Sequence, residues 1–283
     1  MAQINKEIII PFLDAYKAYL DSQGQAAKPR LLSNSQEDYK RDIAVKAMTA
    51  LDKDSWTEQE IGTGTIGEHA IKAVQRNFNL IGRFQVSGFS DKVKENPEVS
   101  ERALFDLFHE RKDEECFFRL CDIFGKKYDL LSYLYFILDP SRYLPLRSSL
   151  FDEIFKKLQI NLQTVGRCTW DNYQEYLSTV AAVRDIMKEY YEYQDIDMLD
   201  AHSFIWTLRL DVLKTDDMLK TGDDHSGMDH QKKAEVGATV YHNTYGEGRI
   251  SKITEEKIYV QFSAGQRIFL KIDAFEKRYI VLI

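Results

Sequence analysis

Paired acids and histidines are the residues whose types allow catalysis. Asp200 and His202 would form an acid–base pair if they faced each other. Two residues apart on a helix they point to different sides, and a helix-capping role for the carboxylate is the simpler reading. His109, Cys116 and Cys121 form a Cys/His cluster, but they lack a Cys-x-x-Cys pair and an obvious fourth zinc ligand. On a helix bearing Phe117, Phe118 and Leu120 these cysteines read as buried packing. Asp224-His225 and Asp229-His230 have the ligand chemistry for a divalent metal, yet they fall in a polar run that would first have to be ordered. The loop Ile61-Gly-Thr-Gly-Thr-Ile-Gly-Glu-His69 has the composition of a phosphate cradle at a helix N-terminus. It lacks the Gly-Lys-Ser/Thr ending of a P-loop and follows no strand, so a flexible turn capped by Thr65 is expected. Glu255-Glu-Lys257 is the nearest approach to the Glu-x-Lys group of metal-dependent nucleases, without a partner acidic strand. No catalytic residue, metal ligand or cofactor is assigned.

What remains is a binding surface. Tyr241 and Tyr245 lie beside a glycine pair, Gly246 and Gly248, and Arg249, Lys252, Arg267 and Lys271 are the cations nearby in sequence. Together they supply stacking faces and phosphate partners. The alternative puts both tyrosines in a core and leaves the cations as solvated charge.

The elements positioning these residues form a small β unit. Thr239 to His242 and Arg249 to Ile253 are β-prone, with Gly246 and Gly248 between them free to take positive φ, which is a hairpin signal. Lys257 to Phe262 alternates with period two: Ile258, Val260 and Phe262 share a core face, and Lys257, Tyr259 and Gln261 the other. Ala264-Gly265-Gln266 punctuates the chain before a strand at Arg267 to Ile272. A turn-like segment at Asp273 to Lys277 follows, and Tyr279 to Leu282 closes the edge. Five short strands in about forty-five residues suit an SH3-like barrel, because closure removes exposed edges.

The order Val240-Tyr-His-x-x-Tyr-Gly-x-Gly-x-Ile250, then a β run ending in Phe262, then Asp273-Ala-Phe-Glu-Lys277, resembles the Tudor-like, SH3-fold modules appended to bacterial DNA helicases and restriction or phage-defence proteins. The resemblance covers residues 237–283. It implies an adaptor that touches nucleic acid or another protein, with no catalysis of its own, working beside a nuclease or helicase.

Ahead of this unit the chain reads as helical. Asn5 to Ser22 is amphipathic through Ile9, Phe12, Leu13, Tyr16 and Leu20, with Pro11 tolerable in its first turn. A helix capped by Ser35 is expected to run to about Leu51, and another through Ile71, Val74, Phe78 and Ile81. Gly82 and Gly88 make Arg83 to Val93 a break. Helices are expected at Ser100–His109, with a serine cap, at 113–124 and at Tyr128–Leu138, the last stopped by Asp139-Pro140. Arg142 to Arg147 is an extended connector, followed by helices from Ser149, from Thr169 to about Tyr191, and from Asp197 to Leu208. Roughly residues 130–210, through Leu138-Asp-Pro140, Trp170-Asp-Asn-Tyr173 and Asp200-Ala-His-Ser-Phe-Ile-Trp206, are similar to a helical region of bacterial restriction and phage-defence proteins that accompanies a nuclease domain.

The expected organisation is therefore mainly α with a small C-terminal all-β SH3-like barrel: a helical domain at 1–214, a flexible linker at 215–235 and the barrel at 236–283. The 283 residues allow two domains, and 44% hydrophobic and 29% charged residues are ordinary for a globular chain. No apolar run approaches the ~18 residues of a membrane span, and no basic segment leads into an apolar leader, so a cytoplasmic, non-membrane protein is expected. Three cysteines are an odd count that argues for free thiols. Residues 236–283 carry seven Lys/Arg against five Asp/Glu, and residues 1–235 carry 31 against 40. With an acidic body and a mildly basic C-terminus, any DNA contact must be weak and local. A nuclease or nuclease-associated subunit and an acidic interaction scaffold or inhibitor are the competing classes.

Overall fold

The computed structural model describes residues 4–22, 31–32, 34, 37–110, 112–209, 235–242, 246–254, 257–263, 265–270 and 281–282. The chain divides into two compact units, Met1–Thr221 and Gly222–Ile283. All of the expected linker except Glu235 lies outside the described residues, as do both Asp-His pairs within it.

The first unit is helical. Helix α1, Lys6–Ser22, buries the expected stripe of Ile9, Phe12, Leu13, Tyr16 and Leu20. Pro11 lies past the first turn, where it withholds an amide from the helical ladder. Helix α2, Tyr39–Leu51, starts after Asp38, and the expected cap Ser35 lies outside the described residues. Helix α3, Thr65–Gln75, is capped by Gly64 at φ 93°, so Thr65 is its first residue and not its cap. The expected break is instead helix α4, Arg83–Glu95. Phe89 and Val93, one turn apart, are buried on it, and that packing outweighs the ~1 kcal/mol that Gly88 costs a helix.

Helix α5, Pro97–Phe105, is capped by the Asn96 side chain with Pro97 in its first turn, and it runs on as a π turn at Asp106–Glu110. Ser100 is buried within α5 and caps nothing. Helices α6, Asp113–Phe124, and α7, Tyr128–Leu138, follow. Every residue of α7 except Asp129 is buried, which makes it the centre of the unit, and it ends at Asp139 as the proline requires. Helix α8 is Ser148–Lys157. Helix α9, Trp170–Tyr191, is capped by Thr169, and α10, Met198–Thr207, by Asp197. Among the described residues no helix is long and apolar enough to cross a membrane.

The connector between α7 and α8 runs through the core: Tyr143, Leu144 and Leu146 are buried. Its backbone cannot reach water, so side chains satisfy it. Tyr173 donates to the Leu144 carbonyl at 2.8 Å, Tyr176 to the Pro145 carbonyl at 3.1 Å, and Leu146 N–H donates to Ser132 Oγ at 2.9 Å.

The second unit is an antiparallel sheet in the order β4-β3-β2-β1-β5. Its strands are β1, Thr239–His242; β2, Gly246–Ile253; β3, Lys257–Phe262; β4, Gly265–Leu270; and β5, Val281–Leu282. The hairpin forms, but both glycines lie inside β2, paired with His242 and Val240. Gly248 takes no positive φ; a Cβ there would come within 2.5 Å of the Phe262 ring and 2.8 Å of Val260. Close approach explains this glycine, where a turn conformation was expected. The core is Val240, Ile250, Ile258, Val260 and Phe262, as the alternation of β3 requires.

Candidate functional site

In the helical unit, Asp200 and His202 serve different partners, both from α2. The Asp197 side chain caps α10, accepting from Asp200 N–H, while the Asp200 carboxylate accepts from Asp197 N–H at 3.0 Å in return. Arg41 donates to Asp197 through both guanidinium nitrogens, at 2.7 and 2.9 Å, and to Asp200 at 3.0 Å. Asp200 is thus a capping-box residue latched to α2.

His202 belongs to a buried cluster with Lys40 and Glu37. Its Nε2 is 3.0 Å from the Pro145 carbonyl and its Nδ1 is 3.0 Å from Lys40 Nζ. A carbonyl only accepts, so Nε2 carries the proton and Nδ1 accepts from the Lys40 amine. Lys40 also donates to Glu37. Burial, reinforced by the Lys40 charge, holds His202 well below its ordinary 6.5. Burial pulls the Lys40 ammonium down and pushes the Glu37 carboxyl up, each opposed by the attraction of the other. Lys40 and His202 are each 1% exposed, so no substrate atom reaches them; this is a polar lock between α2, α10 and the buried connector. Lys40 escaped notice in the sequence because its partner His202 lies 162 residues away. A cleft of about 540 Å³ beside the lock has Ala44, Val45 and Met48 on one wall; Arg41 and Arg184 on its rim are already paired with Asp197 and Asp185.

The glycine loop does cradle an anion, and the anion is the protein's own. Glu101, fully buried on α5, accepts from Gly62 N–H at 2.7 Å and Gly64 N–H at 3.2 Å on Oε2, and from Gly67 N–H at 2.6 Å on Oε1. Three amides at the start of α3 are satisfied from within, leaving no room for a phosphate.

His109, Cys116 and Cys121 are not brought together as ligands. His109 stacks on Phe105 with ring centres 4.4 Å apart, and all three cysteines are buried and free. Cys121 instead neighbours Cys168, and the interaction of the two thiols lowers Cys121 and raises Cys168. Burial pushes Cys116 up to about 11.

In the sheet unit the expected surface is partly assembled. Arg249 pairs with Gln261 and Lys252 with Tyr259, on the face opposite the buried Ile250, Val260 and Ile258. A bulge between Ile250 and Lys252 resets the register and keeps both cations outward. Arg267 pairs with Val260 and so lies on the core side of edge strand β4, away from the other two. The backbone of Tyr241 pairs with Glu247 and Val281; its side chain, Tyr245 and Lys271 lie outside the described residues. The residue missed as a contact is Tyr259. Lys252 Nζ sits 5.6 Å from its ring centre, and exposed Ile268 pairs with it from β4. The alternation of β3 had already put Tyr259 on this face. Glu247 is exposed two residues before Arg249 and is the acid on this stretch of β2.

No family model, curated protein or solved structure matches the chain.

Proposed function

We propose that the chain is a DNA-associated adaptor without catalysis of its own, serving a bacterial restriction, phage-defence or repair system beside a nuclease or helicase, with the outer face of the C-terminal sheet as its contact surface. The described strands form an open sheet, with β4 and β5 at its two edges; it is read as an SH3-like, Tudor-like barrel because β1 to β4 form an antiparallel meander and the short final strand β5 returns to pair with β1. The bulge in β2 supports this reading, since such bends let one strand serve both halves of a small barrel. The observation that carries the proposal is the shared outward face of Arg249, Lys252 and Tyr259, two cations beside an aromatic ring.

The test is DNA binding by the full chain, followed by fluorescence anisotropy across a salt series. Weak binding with a shallow salt dependence is expected, and Arg249→Ala with Lys252→Ala should reduce the log–log slope by up to about 2, near one for each phosphate no longer neutralised. No binding at low salt, or an unchanged slope in the double variant, overturns the proposal. Loss of a protein partner in that variant, with DNA binding intact, would make the adaptor a reader of protein.

A further inference from the structure

The two most exposed large hydrophobic side chains among the described residues belong to the helical unit: Phe84, 90% exposed, and Phe78, 71% exposed. Neither is covered by the fold. Phe84 is the second residue of α4. Phe78 sits between α3 and α4 with φ 54°, in the left-handed region that bulky side chains avoid, and the Tyr39 ring braces it, edge-on at 5.3 Å.

The charge around these rings departs from that of the body. From His69 to Ser90 the chain has no Asp or Glu and carries Lys72, Arg76 and Arg83, whereas residues 1–235 as a whole carry 40 Asp/Glu against 31 Lys/Arg. Lys72 is engaged by Glu68; among the described residues Arg76 and Arg83 form no ion pair. Arg83 lines a cleft of about 460 Å³ together with Phe78. Gln85, next to Phe84 in sequence, lines a second cleft, of about 330 Å³, with Lys126, Lys127 and Arg147. From the second cleft Arg147 reaches the segment between α3 and α4, donating to the Asn79 carbonyl, next to Phe78 in sequence, at 3.1 Å. The acids that face them are Asp91 in the first and Asp129 in the second, the latter 3.5 Å from Arg147.

Exposed rings alternating with guanidinium groups match a polyanion whose flat bases are free to stack. Paired bases inside a duplex offer no such faces. We infer that residues 76–85 and the two flanking clefts form a single-stranded nucleic-acid site. The rings of Phe78 and Phe84 stack on bases, and Arg76, Arg83 and the lysines of the second cleft take the backbone phosphates. The inference rests on the nucleic-acid reading above and adds to it a second site with a preference for unpaired strands.

The experiment measures anisotropy of a fluorescein-labelled oligothymidylate and of a duplex of equal length, with the full chain at low salt. The single strand should bind more tightly than the duplex. Phe78→Ala with Phe84→Ala should weaken single-strand binding by about thirtyfold or more, the loss expected for two stacked bases. Arg76→Ala with Arg83→Ala should flatten the salt dependence. Phe84→Ala alone provides a variant whose exposed ring the fold does not need, and circular dichroism checks each protein. Unchanged oligothymidylate binding in the double phenylalanine variant, or equal loss of duplex and single strand, overturns the inference. If only Arg249→Ala with Lys252→Ala removes binding, the sheet reading stands and this one falls. If only the phenylalanine variant does, the reverse holds. Absence of all binding refutes both.

Discussion

Lys40 donates its amine to Nδ1 of His202 across 3.0 Å, joining α2 to α10 with both residues sealed from water. The imidazole accepts that bond only while neutral.

The lock therefore gives the helical unit an acid limit. His202 is held below 6.5 when folded and returns to about 6.5 when unfolded, so the unfolded chain binds the extra proton first as pH falls. The stability contributed by the neutral imidazole is complete above about 6.5 and is lost as pH drops from there toward the folded value. Thermal unfolding followed by tryptophan fluorescence reports this unit, because Trp56, Trp170 and Trp206 all lie in it. The midpoint should fall between pH 7 and pH 5, and His202→Gln should make that slope shallower while lowering stability at pH 7. An equal slope in the variant would remove His202 as its cause.

Glu101→Ala should destabilise the same unit by roughly 3 kcal/mol or more, because three amides lose a charged acceptor that has no access to water. Urea titration measures the change. Hydrogen exchange at Gly62, Gly64 and Gly67 should accelerate before the unit as a whole opens. A neutral effect would mean that water replaces the carboxylate without loss.

Gly248→Ala should destabilise the sheet by about 1–3 kcal/mol, since its new Cβ enters the space of Phe262 and Val260 in a packed core. The β signal of residues 236–283 in nuclear magnetic resonance spectra of the full chain is the measurement. Val260→Ala placed beside Gly248→Ala should recover part of the loss if steric overlap is the cause. No recovery would point to backbone conformation instead.

Where local signals were strong, the sequence was legible. The apolar stripe of α1, the Asp139-Pro140 stop and the start of α9 at Thr169 each depend on residues within one or two turns. Helix α4 was not legible, because Gly82 and Gly88 punctuate it and the burial of Phe89 and Val93 that overrides them is tertiary. Of the expected contact surface, the outward pair Arg249 and Lys252 follows from strand alternation, whereas the turn of Arg267 toward the core side depends on where β4 begins. The strand starts at Gly265, φ 105°, two residues earlier than its β-prone run suggests. The glycine loop showed its capacity for an anion but not its occupant, since Glu101 lies 34 residues beyond Gly67.

The buried connector also constrains how the chain is made. The carbonyls of Leu144 and Pro145 wait for Tyr173, Tyr176 and His202, which follow them by 29, 31 and 57 residues. A ribosome that has released α7 has therefore released the centre of the unit without the groups that seal it. Until α10 emerges, the nascent chain carries Tyr143, Leu144 and Leu146 uncovered, a stretch for a chaperone to hold. Truncation before Met198 should yield an aggregating fragment, because α10 seals the buried connector of the first unit.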